Sequence, residues 1–169
     1  LHSDDILYDK NVLSDVAKSF IKKKADIVYG NIIYSKRNEI FSLIRVWDNI
    51  KLNNKYDLPP HTSTFVRRKL YNNNFYNPNY KISSDTNFLL NIFKNKRKKN
   101  KYFYLKKYIT IMRTGGISTK FIFAITKLIE DIRCFKKNNL SFVYVLKKTL
   151  IKARQLFIKK RLKNIQYIN

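Results

Sequence analysis

Helical and strand-like patterns alternate along the first 119 residues, and this order restricts the fold more than any other feature of the sequence. Residues Asp9 to Lys24 place apolar side chains at helical spacing, and Asp26 to Tyr34 (DIVYGNIIY) is dense in the β-branched and aromatic residues of a buried strand. Phe41 to Trp47 fits a second strand, Asp85 to Phe93 a further helix, and Tyr102 to Arg113 one or two strands. Such alternation predicts an α/β sheet.

After residue 119 the pattern changes to two helical stretches that are broken near Asn138. This region holds thirteen Lys and Arg residues, and its only acidic residues are Glu130 and Asp131. We therefore divide the chain into an α/β part, residues 1–119, and a basic α-helical tail, residues 120–169.

The charge restricts the class of partner. Thirty-six Lys and Arg against eleven Asp and Glu give a net charge of +25, which indicates nucleic acid, an anionic membrane or phosphate-bearing substrates. Codons rich in A and T also favour lysine, so the base composition of the gene is a second source of this charge. The tail residues Phe142 and Leu156 lie on a helical face that fits a membrane interface and equally a helix docked on the domain. Lys94 to Lys107 mixes cations with aromatics, as a nucleic-acid-binding module or a solvated loop would.

Cysteine usage restricts the compartment and the metal chemistry. Cys134 is the single cysteine, so the chain can form neither an intramolecular disulfide nor a cysteine zinc site. No apolar run approaches the roughly 20 residues that span a bilayer. We expect a cytoplasmic protein that is at most peripheral at the inner face of the cell membrane. Because the chain begins at Leu1 inside an apparent structural element, we interpret it as a fragment.

Two acidic motifs are candidates for chemistry. Ser3-Asp4-Asp5 stands just before a helix, where carboxylates can hold Mg²⁺ or Mn²⁺ together with substrate phosphates, or can simply favour the helix N-terminus. Ser83-Ser84-Asp85 precedes an apolar run. Asp85 is either a general base that faces a cleft or a first-turn residue beside Ser84 as the N-cap. The local sequence alone favours the structural alternative for both motifs.

Two further segments carry residues of interest. His61 follows the rigid pair Pro59-Pro60, and a lone histidine is more often structural than catalytic. Gly115 and Gly116 are two of only three glycines, which indicates a backbone conformation that side chains would forbid. That conformation suits a loop over a phosphate or a tight turn.

Taken in order, five segments resemble the latter part of family 2 glycosyltransferases, in particular the bacterial enzymes that build colanic acid, O-antigen and capsule. The segments are SDDILY, DIVYGNIIY, LPPHTSTFVRRKLY, NPNYKISSDTNFLL and YITIMRTGGIST. The resemblance covers Leu1 to Thr119 and extends faintly into residues 130–133. It implies a partial GT-A (Rossmann-like) fold whose N-terminal nucleotide-binding half would precede Leu1, so this fragment alone could be inactive.

The resemblance also implies an activity and roles for the acidic residues. The family transfers a sugar from a nucleotide-diphosphate sugar to a saccharide or lipid-linked acceptor, typically with inversion. By this match Asp5 binds the divalent cation, Mg²⁺ or Mn²⁺, and Asp4 contacts the donor ribose or metal-bound water. Asp85 matches the catalytic base, although Ser84 replaces the first acid of the Glu-Asp pair that many members have.

The remaining segments of the resemblance imply substrate contacts. His61 lies in the third segment, and the stretch from Arg113 through Gly115 and Gly116 resembles the loop near the donor diphosphate and the acceptor. The expected partners are the nucleotide-sugar donor, the acceptor and an anionic membrane surface, with no specific nucleic acid. Two alternatives stay open: a basic nucleic-acid-binding module, and a non-catalytic membrane-surface remnant of a transferase.

Overall fold

The computed structural model describes residues 4–36, 43–48, 50–52, 57–71, 75–94, 100–114, 123–147 and 149–150. Five strands and three longer helices follow one another in mixed order. They are β1 (Ile6–Leu7), α1 (Val12–Lys22), β2 (Ile27–Ser35), β3 (Leu43–Trp47), β4 (Thr64–Val66), α2 (Ser84–Lys94), β5 (Tyr102–Arg113) and α3 (Ala124–Lys137). Short 3-10 turns span His61–Ser63 and Arg68–Tyr71, and residues 143–147 and 149–150 are helical.

The strands form one mixed sheet in the order β1-β5-β2-β3. Strands β2 and β5 run parallel along nearly their whole length, and the other pairs are antiparallel. Because β5 occupies one edge of β2, β4 and β3 share the other edge, at residues 27–29 and 32–35 respectively. The β2–β5 register shifts near Gly30. A Cβ at that glycine would lie 2.8 Å from the backbone carbonyl oxygen of Lys107, so this close approach of the strands requires glycine.

Helices cover both faces of the sheet. On one face Val12 and Val16 of α1 pack against Val28 and Ile109. On the other face Phe88 and neighbouring residues of α2 pack against Ile27. Since consecutive strand residues point to opposite faces, the adjacent positions 27 and 28 place α1 and α2 on opposite sides. This two-sided burial explains why β2 is apolar along most of its length.

The third helix packs against the second. Cys134 and Phe135 of α3 form a buried cluster with Leu90 of α2 and with Val145 of the helical segment that follows. A turn with Asn139 at φ 55° separates the two helical pieces, close to the break that the sequence predicts. The described part of the basic tail therefore shares a core with α2.

The expected mixture of helices and strands is confirmed, with a mixed rather than a purely parallel sheet. The residues from Tyr102 to Arg113 form a single strand. Among the described residues, no helix combines the length and the apolar character that crossing a membrane requires.

Candidate active site

The acidic pair Asp4-Asp5 lies at one end of the sheet. Strand β1 pairs antiparallel with β5, with Ile6 opposite Ile111 and Leu7 opposite Thr110. Because Asp5 and Asp4 precede Ile6, they lie beyond Ile111, toward the C-terminal end of β5. Both residues are partly buried. The strand pairing thus places two carboxylates beside the end of β5 that Arg113 forms.

A buried tyrosine connects Asp5 to the ends of the neighbouring strands. Tyr34, near the end of β2, is 7% exposed, and the guanidinium of Arg45 stacks on its ring at 3.8 Å from the centroid. Burial is the main cause that raises the pKa of Tyr34, the Arg45 charge opposes this rise, and the charge of Asp5 adds to it. Asp5 therefore lies close enough to Tyr34 to affect its ionisation.

Arg113 is at the C-terminal end of β5, directly opposite Ser35 of β2. The backbone N–H of Thr114 donates a 2.9 Å hydrogen bond to the Ser35 carbonyl and extends the pairing by one residue. Within the described ranges, neither the buried Nε of Arg113 nor the buried hydroxyl of Ser35 has a hydrogen-bond partner. Buried polar atoms are nearly always paired in native proteins, so this end of the sheet is suited to an anionic ligand.

His61 and Asp85 meet on the second side of the candidate site. Nε2 of His61 lies 3.3 Å from Oδ2 of Asp85, and both side chains remain about one-third exposed, at 33% and 28%. Both groups are thus within reach of solvent and of a substrate. The sequence marks both as candidates, but it does not predict that they form a pair.

The turn that carries His61 is fastened to the centre of the sheet. Oγ1 of Thr110 in β5 donates a 2.9 Å hydrogen bond to the carbonyl of Thr62, the residue that follows His61. The buried hydroxyl of Ser63 donates to the Gly30 carbonyl of β2 at 2.7 Å. The position of His61 relative to β2 and β5 is therefore fixed by two buried hydrogen bonds.

Asp85 lies in the first turn of α2, and the residues just before it are held by α3. The carboxylate of Glu130 accepts hydrogen bonds of 2.8–2.9 Å from the backbone N–H groups of Lys81, Ile82 and Ser83. The hydroxyl of Ser83 donates to Asp131 at 2.7 Å. Two carboxylates of the basic tail thus fix the segment from which the Asp85 helix begins.

The sequence offers Ser84 as the N-cap of α2, but in the structure Ser84 does not cap the helix. Ser84 is the first residue of α2, and its hydroxyl donates to the Asn77 carbonyl rather than accepting from the helix. Ser83 stands at the position before the helix, and its carbonyl accepts from the N–H of Asn87. Its side chain is engaged by Asp131, so the contact with α3 takes the place of an ordinary cap.

An aromatic side chain adjoins Asp85. The ring of Tyr76 stacks on Phe88 at 4.5 Å between centroids, and Tyr76 is about half exposed. Burial raises the pKa of Tyr76 to about 12, with smaller contributions from the nearby charge of Asp85 and from Tyr71. Tyr76 thus offers a neutral hydroxyl and a partly exposed ring beside the carboxylate.

The separate groups converge on one residue of the central sheet. Thr110 pairs with Leu7, two residues after Asp5, and bonds to Thr62, the neighbour of His61. Arg113 follows three residues later on the same strand. The carboxylates near residue 5 and near residue 85, eighty positions apart in sequence, are therefore linked through the same short stretch of β5.

The donor set suits a divalent cation that is shared with a substrate. No cluster of three or more His, Cys, Asp or Glu side chains able to hold a metal ion occurs within the described part of the chain. Asp4 and Asp5 supply two carboxylates. Mg²⁺ is commonly bound by one or two carboxylates plus substrate phosphates, so this pair fits such a cation without a complete protein cage.

The other expected site residues lie in different situations. Gly115 and Gly116 fall outside the described residues. Sequence patterns did not identify Tyr34, Tyr76 or Glu130 as part of the site. Glu130 has two signals in the sequence: it forms an acidic pair with Asp131 in a basic region, and it lies in the faint extension of the resemblance. Their roles depend on contacts between segments that are distant along the chain.

Comparison with known proteins finds no matching family model, no similar curated protein and no similar solved structure.

Proposed function

We propose that the chain supplies catalytic residues of a family 2 glycosyltransferase of the GT-A type. The enzyme transfers a sugar from a nucleotide-diphosphate sugar to a saccharide or lipid-linked acceptor in surface polysaccharide biosynthesis. The observation that supports this proposal is the convergence on Thr110 of the segments bearing Asp4-Asp5, His61 and Arg113, with Asp85 in contact with His61. Two carboxylates suited to a cation and a third suited to accept a proton, linked through the same strand, fit such a transfer.

Asp85 acts as the general base in this proposal. Its carboxylate takes the proton of the acceptor hydroxyl while that oxygen forms a bond to the anomeric carbon. The bond between the anomeric carbon and the diphosphate breaks at the same time, and the diphosphate leaves with the electron pair. A single displacement of this kind inverts the configuration. His61, 3.3 Å from Oδ2, orients the carboxylate and stabilises its charge before the proton arrives.

The opposite side of the site binds the donor. Asp5 would hold Mg²⁺ or Mn²⁺, and Asp4 would contact the donor ribose. A divalent cation bound there supplies positive charge for the leaving diphosphate. Arg113 supplies a second, permanent positive charge whose Nε is buried and has no hydrogen-bond partner among the described residues. Both charges stabilise the negative charge that develops as the bond to the anomeric carbon breaks.

The metal role of Asp5 predicts a specific loss of activity. Release of nucleoside diphosphate is measured with a panel of UDP-, GDP- and dTDP-sugars in Mn²⁺, with and without excess chelator. We expect Asp5→Ala to lower the rate by about 10²-fold or more, because one charge-stabilising group is lost. Asp15→Ala, which removes a carboxylate from α1 outside the site, is the matched control. Activity that persists in chelator, or that is equal in Asp5→Ala and the unmodified protein, contradicts the assignment.

The nucleic-acid alternative gains no support from the aromatic residues that suggested it. Tyr102 packs against Phe93, Phe103 joins the cluster under α1, and Tyr104 stacks on Tyr29. Bases stack on aromatic rings that are presented at the surface. These three rings are instead engaged in packing of the sheet.

A further inference from the structure

The polarity of α3 is inverted relative to an ordinary surface helix. Its two acidic residues, Glu130 and Asp131, are only 6% and 5% exposed because they bind the segment before α2. Its large aliphatic residues instead point outward at helical spacing. They are Ile125 (67% exposed), Leu128 (43%), Ile129 (45%) and Ile132 (37%). A surface helix normally buries such a stripe against the core, so the exposed stripe indicates a binding face.

The helical segment after α3 shows the same arrangement. Val145 is buried in the cluster formed by Cys134 and Phe135 and anchors the segment to α3. Four apolar residues in or just before this segment are more than half exposed, namely Phe142, Val143, Leu146 and Leu150. These four residues and the four aliphatic residues of α3 are here called the outer apolar surface. Docking on the domain and an apolar outward face, which the sequence leaves as alternatives for this segment, occur together.

The charges around the outer apolar surface are all positive. The only acidic residues after position 119 are Glu130 and Asp131, and both are buried. The exposed charged side chains among the described residues of this region are Arg133, Lys136, Lys137 and Lys147. A second copy of the chain would bring another +25 charge against this face, which opposes self-association. An anionic lipid surface is complementary to both its charge and its apolar character.

We propose that α3 and the helical segment after it lie on an anionic membrane, with the outer apolar surface in the boundary between headgroups and acyl chains. The flanking lysines and arginine contact lipid headgroups. This proposal does not depend on glycosyl transfer. Since Glu130 ties α3 to the segment before Asp85, membrane contact would also bring the candidate base near a lipid-linked substrate.

The proposal is tested by sedimentation of the protein with vesicles. Neutral phosphatidylcholine vesicles are compared with vesicles containing about one-third phosphatidylglycerol, at low and high salt. We expect binding to the anionic vesicles only, weakened by salt. The double variant Leu128→Gln/Ile132→Gln should lower the partition coefficient at least about tenfold, since it removes two exposed aliphatic side chains that the membrane would bury. The matched control is Leu13→Gln/Ile21→Gln, which changes two exposed aliphatic residues of α1.

The charge contribution needs its own pair of variants. Lys136→Glu/Lys137→Glu should weaken binding more than Lys18→Glu/Lys22→Glu, which makes the same change in net charge on exposed lysines of α1. Equal effects of the two pairs would show a general charge attraction and overturn the proposed surface. Absence of vesicle binding would also overturn it. So would a concentration-dependent dimer, or salt-sensitive retention on a DNA column, that Leu128→Gln/Ile132→Gln abolishes.

Discussion

The buried carboxylate of Glu130 connects the basic tail with the segment before the candidate base. Glu130 accepts three backbone hydrogen bonds from consecutive residues, 47 to 49 positions earlier in the chain. Burial alone would raise the pKa of Glu130, but these hydrogen bonds and the nearby charge of Lys127 lower it below its usual value. The charged form of Glu130 therefore stabilises the folded state.

We expect Glu130→Gln to lower the free energy of unfolding by about 2–3 kcal/mol at neutral pH, because hydrogen bonds to a charged acceptor are lost. Glutamine keeps the size of the side chain, but its NH₂ group faces backbone donors. Chemical denaturation followed by circular dichroism measures the change. Glu39→Gln makes the same substitution in another segment and serves as a reference for the change in net charge. An unchanged free energy of unfolding in Glu130→Gln would show that the three hydrogen bonds contribute nothing net.

The same residue predicts a pH dependence. A carboxyl group whose pKa is lower in the folded state stabilises the protein above its ordinary pKa and loses that contribution as the pH falls through the lowered value. Acid also protonates Asp9 and Asp26, whose pKa values are lowered as well. The unmodified protein and Glu130→Gln therefore both lose stability in acid. The difference between the unmodified protein and Glu130→Gln should therefore be full at pH 7 and shrink below about pH 4.5. A difference that grows in acid would contradict this account.

At the level of elements, long periodic helices and strands are predictable from the sequence, and very short strands are not. The helix predicted from Asp9 to Lys24 is observed as α1, and the strand predicted from Asp26 to Tyr34 as β2. Both have strong patterns, because each buries a regular set of apolar side chains. Strands β1 and β4 have only two and three residues and carry no periodic signal. Their pairing with the longer strands defines them.

In the candidate site, the individual residues can be predicted from the sequence, whereas their arrangement cannot. The resemblance to a family selects Asp5, Asp85, His61 and Arg113 individually. Their relative arrangement depends on the β1–β5 register and on the hydrogen bond between Thr110 and Thr62. No local pattern encodes contacts between residues that lie far apart in the sequence, as His61 and Asp85 do and as Glu130 and Ser83 do. For this reason the His61–Asp85 pair and the role of Glu130 were not predicted.

The packing of α3 gives a prediction at this level. Phe135 is 1% exposed in the cluster that joins α3 to α2, whereas Ile129 on the same helix is 45% exposed. Phe135→Ala should lower the free energy of unfolding by about 3–5 kcal/mol, because it leaves a cavity. Ile129→Ala should change it by less than about 0.5 kcal/mol. Thermal denaturation of both variants provides the comparison. Similar effects would mean that α3 does not pack through its Phe135 side.

In the whole molecule, the candidate site on the sheet adjoins a basic helical surface. The β1–β5 pairing places Asp4 and Asp5 at one end of the sheet, and the turn bound to Thr110 carries His61, which contacts Asp85. Helix α3 supports the segment before the helix that carries Asp85. The chain carries a net charge of +25, and the two acidic residues of α3 are buried, so the exposed charges of α3 are positive. Such an arrangement suits the proposed transfer from a phosphate-bearing donor to an acceptor at a membrane, in which Asp85 is the proposed base.

The most direct test of the account is the rate of sugar transfer after Asp85→Asn. Asparagine keeps the shape of the side chain but cannot accept the proton, so the rate should fall roughly 10²–10⁴-fold with the metal requirement unchanged. Asp15→Asn makes the same substitution in the first turn of α1 and should leave the rate near normal. Circular dichroism of both variants confirms that they fold. Near-normal transfer by Asp85→Asn would contradict the account.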